Sequence, residues 1–195
     1  MDDLDDDELV RHAREGDVHA YEQLIRRYTP IAHRTAVLLA GADGDDAVQE
    51  AFVKAYAALD GYRGDAPFRP WLLRIVANEA RNRRRAERRR ASLPVRLDAA
   101  NATASSSGLA APSPEEEAIS AERRTALLAA IQALPERDRR VVTCRYLLEL
   151  SETETATVLA LPRGTVKSRL SRALRRLRAA PALAGHLPEE VAERG

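Results

Sequence analysis

The carboxyl-terminal part of the chain carries the side chains best suited to binding nucleic acid. Residues 161–178 contain seven basic residues and no acidic one, whereas a solvated surface helix normally mixes both signs. In a helix over 163–179, Val166, Leu170 and Leu177 share one side, which leaves polar side chains on the other. Such side chains bind phosphates and guanine edges. The outward-facing residues are Ser168, Ser171, Arg172 and Arg175, with Lys167 and Arg169 on the flanks and Arg163 and Thr165 at the exposed beginning of the helix.

The segment before this helix fits a helix-turn-helix. Residues 151–154 (SETE) have the pattern of a capping box, which predicts a short helix ending near Ala160. A tight connection at 161–165 then leads into the basic helix, and in this motif the second helix enters the major groove. Two preceding helices, expected at 118–134 and 136–150, complete a four-helix domain. We expect the tail from Pro181 to be mobile.

A second basic block follows a cluster of aromatic residues. Residues 81–90 contain seven arginines at the end of a helix predicted over 68–90, and five of the eight aromatic residues lie between 52 and 71. Single-strand binders stack bases on aromatic rings beside a basic groove. Core packing is the alternative for Phe52, Tyr56 and Trp71, which recur at helical spacing. Tyr62, in a loop beside glycine, is the aromatic residue least easily explained by packing.

The first 60 residues are acidic, with 6 basic and 14 acidic side chains. We interpret the carboxylates at 2–8 as a disordered tail. Apolar spacing predicts a helix near 6–15 and a second one capped by Asp17, which Pro30 should kink or interrupt. A third helix follows a turn at 41–44. Its apolar stripe comprises Val48, Ala51, Phe52, Ala55, Tyr56 and Leu59, and its polar face comprises Asp45, Asp46, Gln49, Glu50 and Lys54.

Composition limits the fold and the class of protein. No stretch alternates with a period of two, so we predict an all-α fold of two small helical domains, an amino-terminal bundle and the four-helix domain. Residues 92–117 include 16 Ala, Ser, Thr, Pro or Gly residues among 26. We therefore divide the chain into a domain at 1–92, a flexible linker at 93–118, a domain at 119–180 and a tail at 181–195. Such a linker spans roughly 28 Å as a coil and up to about 90 Å when extended.

The same sequence argues against several kinds of site. The net charge of +1 is low because acidic and basic segments cancel each other, and the basic segments suggest that the protein binds nucleic acid. No apolar run is long enough for membrane insertion, and the amino terminus lacks the pattern of a secretory signal. Cys144 is the only cysteine, which we interpret as a buried small residue. We find no pattern for a catalytic group, metal or cofactor, and predict a protein that is not an enzyme.

Three segments together resemble the extracytoplasmic-function (ECF) sigma factors of bacterial RNA polymerase. They are 45–56 (DDAVQEAFVKAY), 62–78 (YRGDAPFRPWLLRIVAN) and 164–173 (GTVKSRLSRA). The resemblance extends over about 5–92 and 119–180. It implies that the first domain binds the clamp of the polymerase and melts the minus-ten promoter element, while the second reads the minus-thirty-five element as duplex.

The resemblance also implies residue roles. The segment that docks on core polymerase corresponds to Asp45, Asp46, Gln49, Glu50 and Lys54. The loop 61–68 corresponds to the family's specificity loop, which captures a flipped-out base, and the following helix lines that strand. The minus-ten contacts are then Tyr62, Arg63, Phe68, Arg74, Asn78, Arg81, Asn82 and Arg85. The duplex-reading contacts are then Arg163, Thr165, Lys167, Ser168, Ser171 and Arg172, all of which belong to the polar set already named on the basic helix.

Two positions depart from the family's usual pattern. The turn of the helix-turn-helix often has a glycine where this chain has Ala160, and the preceding helix often has an isoleucine where this chain has Thr155. The resemblance further implies an anti-sigma factor as a partner and a cytoplasmic location, in which that partner could hold the protein at the membrane. The alternative is a stand-alone helix-turn-helix repressor or activator, which would bind a palindromic duplex unaided.

Overall fold

A computed structural model of the chain describes residues 4–40, 44–90 and 114–183. Within these ranges the secondary structure is helical and contains no strand, which confirms the all-α prediction. The α-helices are α1 (Asp6–Arg14), α2 (Val18–Ala40), α3 (Gly44–Ala57), α4 (Phe68–Arg90), α5 (Pro114–Ala133), α6 (Glu136–Val142), α7 (Glu152–Leu159) and α8 (Arg163–Arg178). Short helical turns cover Leu59–Gly61, Thr143–Leu147 and Pro181–Leu183.

Side-chain caps begin the first two helices. Asp5 and Glu8 form a capping box at the start of α1, because each side chain accepts a hydrogen bond from the other's backbone amide. The interpretation of residues 2–8 as a disordered tail is therefore wrong from Leu4 onward, and residues 1–3 lie outside the described residues. Asp17 caps α2 as predicted, since its Oδ1 accepts from the His19 amide at 2.9 Å.

Helix α2 continues through Pro30 without a break, so the predicted interruption is wrong. Proline removes one backbone hydrogen bond from a helix, at a cost of ~3 kcal/mol or more. Packing on both sides of Pro30 offsets that cost, because Tyr28, Ala32 and Ala36 are buried in the first core. The predicted turn at 41–44 lies outside the described residues except for Gly44, which begins α3.

Helices α1 to α4 enclose the first hydrophobic core. Helix α4 contributes Phe68, Leu72 and Val76, which are almost completely buried against the apolar sides of α2 and α3. The predicted stripe of α3 is buried except at its aromatic end, where Tyr56 is 45% exposed and its ring lies 4.8 Å from that of Tyr21. The stripe prediction is therefore correct for the aliphatic residues and Phe52, and wrong for Tyr56.

Helices α5 to α8 form the second half of the molecule, with α5 longer than expected. It begins at Pro114, four residues before the predicted start, within the segment assigned to the linker. Proline suits the first position of a helix, because the amide hydrogen that it lacks would have no partner there. The tail prediction also needs correction, because Leu183 is buried against α5 and α8. Residues 184–195 lie outside the described residues.

The predicted helix over 136–150 changes geometry halfway. Helix α6 ends at Val142, and Thr143–Leu147 forms a π-turn, in which the Leu148 amide bonds to the Thr143 carbonyl at 3.0 Å. Glu149 follows in the left-handed region, and the chain then enters α7. The π-turn ends at two fully buried side chains, Leu148 and Leu150.

A separate apolar cluster joins the two halves. From the first half it takes Leu39 at the end of α2 and Leu73 and Ala77 on α4. From the second half it takes residues of α6, the π-turn, α7 and α8, which are Val141, Cys144, Leu148, Leu150, Ala156, Val158, Leu159 and Val166. Helix α7 packs on α4 across this cluster, and Arg69 Nη2 donates to the Leu148 carbonyl at 3.2 Å. The two halves are therefore packed on each other in this structure.

Candidate nucleic-acid and polymerase interface

Helix α8 presents the predicted duplex-reading residues together on its outer side. Its inner side is fixed by Val166, Ala173 and Leu177, which are buried. Five of the six predicted contacts are exposed and Thr165 is half-buried, which agrees with the face deduced from the sequence. Arg163 at the start of α8 lies 4.0 Å from the Glu152 carboxylate of α7. The face is thus basic, solvent-accessible and continuous with the beginning of the helix-turn-helix.

Helix α7 has the capping box predicted from the sequence. Ser151 Oγ accepts from the Glu154 amide at 3.1 Å, and Glu154 accepts from the Ser151 amide at 2.8 Å. The helix ends at Ala160, whose φ of 52° and ψ of 52° lie in the left-handed region. Glycine adopts this region readily, whereas a β-carbon makes it costly. Ala160 therefore adopts the backbone geometry of a helix C-cap at a cost in conformational strain.

An ion pair that sequence analysis missed holds α8 in place. Arg176 on the outer flank of α8 pairs with Asp138 of α6, whose side chain is 8% exposed. A buried carboxylate needs such a partner, because removing it from water is costly. The two residues are 38 positions apart, so no local pattern relates them.

The predicted minus-ten surface divides into exposed and buried residues. Arg63, Arg74, Asn78, Asn82 and Arg85 are exposed along the loop and one side of α4. The Asn78 side-chain oxygen accepts a hydrogen bond from Arg81, whose Nε donates to the Ala77 carbonyl at 2.9 Å. Burial and the neighbouring Arg140 lower the pKa of Arg81. Arg81 is therefore half-buried and held against its own helix.

Tyr62 and Phe68 belong to the core instead. Tyr62 is 6% exposed and Phe68 is 1% exposed, and their rings meet edge to face at 5.9 Å. Trp71 adds a third ring, 5.1 Å from Tyr62, and Tyr28 of α2 a fourth, 5.5 Å from Phe68. The view that packing explains Tyr62 poorly is wrong, because its ring packs on Phe68 and Trp71 at the beginning of α4. In this structure neither ring is available for stacking on a base.

The hydroxyl of Tyr62 has a clear structural role. It donates to the Ala66 carbonyl at 2.6 Å and so closes the loop across its own base. Gly64 within this loop has a φ of 75°, a conformation that favours glycine. The loop is thus shaped by Tyr62 and Gly64, while Arg63 and Asp65 remain exposed at its surface.

A cleft of about 770 Å³ opens beside this loop. One wall is the loop from Gly64 to Phe68, and the other is the beginning of α1 with Arg27 and Tyr28 of α2. Asp6 on this wall is paired with Arg27 at 2.6 Å and accepts from the Tyr28 hydroxyl. The acidic beginning of the chain, which the sequence analysis left without a role, therefore lines one side of the loop.

The predicted polymerase-docking face lies on the outer side of α3. Asp45, Asp46, Gln49, Glu50 and Lys54 are all exposed, as expected once the apolar stripe is buried. Several of these side chains are paired with α4 or α2: Asp46 lies 2.8 Å from Arg83, and Asp45 lies 3.0 Å from His33. Lys54 lies 2.6 Å from Glu79, and this carboxylate raises the pKa of Lys54. The face is therefore accessible and partly neutralised by its own neighbours.

Two other kinds of site are absent from the described residues. Among the described residues, no group of three or more His, Cys, Asp or Glu side chains could hold a metal ion. Within those same ranges, no helix combines the length and the apolar character that spanning a bilayer requires.

Comparison with known proteins gives matches over both halves of the chain. The family model for Sigma-70 region 2 matches residues 20–90, and the one for Sigma-70, region 4 matches residues 124–177. The chain is 39% identical over 176 residues to the ECF RNA polymerase sigma-E factor of Escherichia coli strain K12, with 87% of this chain and 91% of that protein covered. The sigma-E factor of Haemophilus influenzae is 35% identical over 173 residues, with 87% and 92% covered.

Two solved structures share the fold. CnrH, in complex with the cytosolic domain of CnrY, superposes with a TM-score of 0.60 at 28% identity, covering 88% of this chain and 93% of that one. The sigma factor RpoE of Bartonella quintana, in complex with the anti-sigma factor NepR, gives a TM-score of 0.60 at 23% identity, covering 83% and 96%. The second likeness concerns the fold alone.

Proposed function

Because this chain belongs to the extracytoplasmic-function sigma factors of RNA polymerase, which direct core polymerase to promoters, we propose how its surfaces divide that work. The first half binds core polymerase and opens the minus-ten element, and the second half reads the minus-thirty-five element as duplex. The observation that carries this proposal is the pair of exposed basic surfaces, on α4 and on α8, built on separate helices. The protein acts as a binding subunit and not as an enzyme.

On α8 the exposed arginine, lysine and hydroxyl side chains suit the major groove. Arginine donates two parallel hydrogen bonds to the edge of guanine, while lysine and serine bind phosphates and fix the register. Arg172 lies mid-helix on the outer face, and Arg163 and Thr165 lie at the beginning, the part of a recognition helix that contacts bases. We assign base reading to these three residues and phosphate contacts to Lys167, Ser168 and Ser171.

On the first half, the strand-opening surface comprises the loop and the exposed side of α4. Unpaired bases are captured by stacking and by hydrogen bonds once they leave the duplex. Since Tyr62 and Phe68 are buried, their role is to shape the loop, and the contacts fall to Arg63, Asn78, Asn82 and neighbouring arginines. The docking face of α3 binds the clamp of core polymerase, where exposed carboxylates meet basic groups of the partner.

Two further features follow from the relatives. The solved structures of CnrH and of RpoE were determined with CnrY and with the anti-sigma factor NepR. We propose that this protein is likewise held inactive by an anti-sigma factor, which would also determine whether it is free in the cytoplasm or retained at the membrane. A stand-alone repressor is not favoured, because both halves match sigma-factor families.

The decisive experiment is transcription in vitro with purified core polymerase and a library of genomic promoter fragments. We expect the protein to initiate transcription from a defined subset of fragments that share two elements. Core polymerase alone and the protein alone should each produce no specific transcript. Tight binding of the free protein to a palindromic duplex, without any effect on initiation, would overturn the proposal in favour of a repressor.

A further inference from the structure

Helix α1 supports both ends of the loop that we assign to strand opening. Just before the loop, Arg14 Nη2 donates to the Asp60 carbonyl at 3.4 Å. At the end of the loop, the ring of Phe68 lies 5.5 Å from that of Tyr28, and the Tyr28 hydroxyl donates to Asp6 at the beginning of α1. One short helix therefore supports the loop on both sides, directly through Arg14 and indirectly through Asp6.

The beginning of α1 is fixed by its cap and by the core. Asp5 and Glu8 form the capping box around Asp6, and Leu9 and Val10 are buried in the core of the first half. The cap satisfies amides that the end of a helix would otherwise leave without partners, so the first turn keeps its helical geometry. The Asp6 carboxylate is therefore held at a defined place, from which it orients its partners.

Asp6 uses its two carboxylate oxygens for different purposes. Oδ1 pairs with Arg27 at 2.6 Å, and Arg27 also donates to the Leu4 carbonyl at 2.9 Å, so this pair holds the beginning of α1 on α2. Oδ2 accepts from the hydroxyl of Tyr28, whose ring supports Phe68. Of these two bonds, the one to Tyr28 leads to the loop and the one to Arg27 leads back to α1.

Aromatic contacts connect Tyr28 to the bond that closes the loop. Phe68 packs on Tyr28 and also on Tyr62, whose ring lies 5.9 Å from its own. The Tyr62 hydroxyl then closes the loop on the Ala66 carbonyl. Asp6 is therefore separated from the loop-closing tyrosine by one hydrogen bond and two ring contacts.

Both tyrosine hydroxyls of this series keep their protons. Burial raises the pKa of Tyr28, and the hydrogen bond to Asp6 raises it further. Burial also raises the pKa of Tyr62, and the charges of Asp7 and Asp6 add to the rise, which shows that the acidic beginning of α1 lies near the loop. Each hydroxyl therefore remains a donor, and each bond persists throughout the range of pH in which the protein works.

We propose that Asp6 is a positioning residue for promoter opening: by orienting Tyr28, it holds the loop in the shape that presents Arg63 to the unpaired strand. Asp6 does not itself bind the strand, because its oxygens are bonded to Arg27 and Tyr28. The inference rests on the role given to the loop in the proposed function, but its first test uses the free protein.

Four single variants separate the bond to Tyr28 from the ion pair with Arg27. In the test pair, Tyr28→Phe removes the hydroxyl group and keeps the ring, and Asp6→Ala removes both interactions. In the control pair, Asp6→Asn keeps an oxygen that can accept from Tyr28 but loses the charge, and Arg27→Gln removes the ion pair and keeps the carboxylate. We expect the loop to be displaced in the test pair and unchanged in the control pair.

Trp71, the only tryptophan of the chain, reports the position of the loop. Its ring lies 5.1 Å from Tyr62 and 5.4 Å from Phe68, so displacement of either ring changes its surroundings. Acrylamide should quench the fluorescence of Trp71 more strongly in the test pair than in the wild type, and equally in the control pair and the wild type. Circular dichroism should show wild-type helix content in all four variants, which excludes unfolding as the cause.

Promoter opening gives a second, independent measurement. With core polymerase and a paired promoter, the test pair should open the minus-ten element about threefold more slowly than the wild type, since one hydrogen bond is lost at a distance from the loop. On a template already unpaired there, the test pair should initiate as fast as the wild type. The control pair should match the wild type on both templates. The double variant Asp6→Ala/Tyr28→Phe should be no slower than Asp6→Ala, because both changes act through one bond.

The possible failures are distinguishable. Wild-type quenching in both variants of the test pair would overturn the proposal, and so would an equal opening defect in the control pair, which would assign the effect to charge. A wild-type opening rate in the test pair, with slow opening in Tyr62→Phe, would overturn this inference and leave the role of the loop intact. Wild-type opening in Tyr62→Phe as well would overturn the role of the loop in the proposed function, and this inference with it.

Discussion

The guanidinium group of Arg83 on α4 lies 2.8 Å from the carboxylate of Asp46 on α3. The arginine-rich helix therefore neutralises part of the acidic face that we assign to polymerase binding. The two residues are 37 positions apart and exposed, so the pair itself adds little stability. Because either residue can be replaced while the other is kept, the effect of the Asp46 carboxylate can be separated from the effect of the ion pair.

We expect Asp46→Arg to weaken binding of core polymerase about tenfold or more, because like charges at an interface repel. Arg83→Gln breaks the same intramolecular pair but keeps the carboxylate, and should bind as tightly as the wild type. Fluorescence anisotropy of labelled protein with core polymerase, at two salt concentrations, measures both. Equal affinity of Asp46→Arg and wild type would remove Asp46 from the docking face.

Replacement of Arg172 by alanine should relax sequence preference at the upstream element by about 1–3 kcal/mol, since a side chain that reads a base edge would be lost. Arg178→Ala, at the other end of α8, should weaken binding uniformly across sequences. Transcription from templates substituted singly in the upstream element gives the preference of each variant. If each variant lowers transcription from all templates by the same factor, Arg172 binds phosphate and not a base.

Removal of one hydroxyl group tests whether the loop must be closed for strand opening. Tyr62→Phe leaves the aromatic cluster but removes the 2.6 Å bond to Ala66, and should slow promoter opening about fivefold, or ~1 kcal/mol. Tyr21→Phe removes a bond of the same length, to Phe52, away from the loop. It should lower stability similarly without slowing opening. On a template that is already unpaired at the minus-ten element, Tyr62→Phe should initiate transcription as fast as the wild type. An equal defect on the paired and the unpaired template would contradict this role of the loop.

Thr155→Val should stabilise the protein by about 1 kcal/mol, because valine keeps the shape and removes a buried hydroxyl group. Thr155 is fully buried, and its Oγ1 has no hydrogen-bond partner. Thr157→Val, at a half-buried position of the same helix where the hydroxyl bonds to the Thr153 carbonyl, is the control and should not stabilise. Thermal and urea unfolding of the wild type and the two variants measure the difference in stability. A loss of stability in Thr155→Val would mean that the Thr155 hydroxyl group has a hydrogen-bond partner.

Ala160→Gly should raise the free energy of unfolding by about 1 kcal/mol, because the left-handed conformation costs alanine ~1–2 kcal/mol. Glycine has more conformational freedom than alanine in the unfolded chain, which offsets part of this stabilisation. Ala129→Gly, at an exposed position inside α5, should do the opposite by a similar amount. Differential scanning calorimetry on both variants measures the effect. A lower melting temperature for Ala160→Gly would show that the turn does not need this conformation for its stability.

The sequence predicted features that depend on neighbouring residues. The capping box of α7, the inner side of α8 and the polar face of α3 follow from local spacing and from the chemistry of caps. Two of the positions that depart from the family pattern, Thr155 and Ala160, are also the two where the helix-turn-helix has an unpaired hydroxyl group or a strained backbone. Local rules therefore predicted the helices, and the family's usual pattern pointed to the two weakest positions of the helix-turn-helix.

Features that depend on distant residues could not be predicted in this way. Phe68 packs on Tyr28, 40 positions earlier, and Tyr62 in turn packs on Phe68. Asp138 is buried because Arg176 reaches it. The two halves pack on each other because Leu39 and Leu73 meet the π-turn. The composition of the predicted linker at 93–118, which separates the halves in the sequence, gives no indication of this contact. In each case the partner is fixed by tertiary packing, which spacing along the chain does not encode.

The π-turn at Thr143–Leu147 carries one residue more than an α-helical turn would need. Deletion of a single residue here would restore regular helix and rotate everything after it by about 100°. Leu148 and Leu150 would then leave the side that meets Leu73, and α7 would start from a different direction. The length of this segment is therefore under tighter constraint than its composition: single-residue insertions and deletions should be far less tolerated here than conservative substitutions.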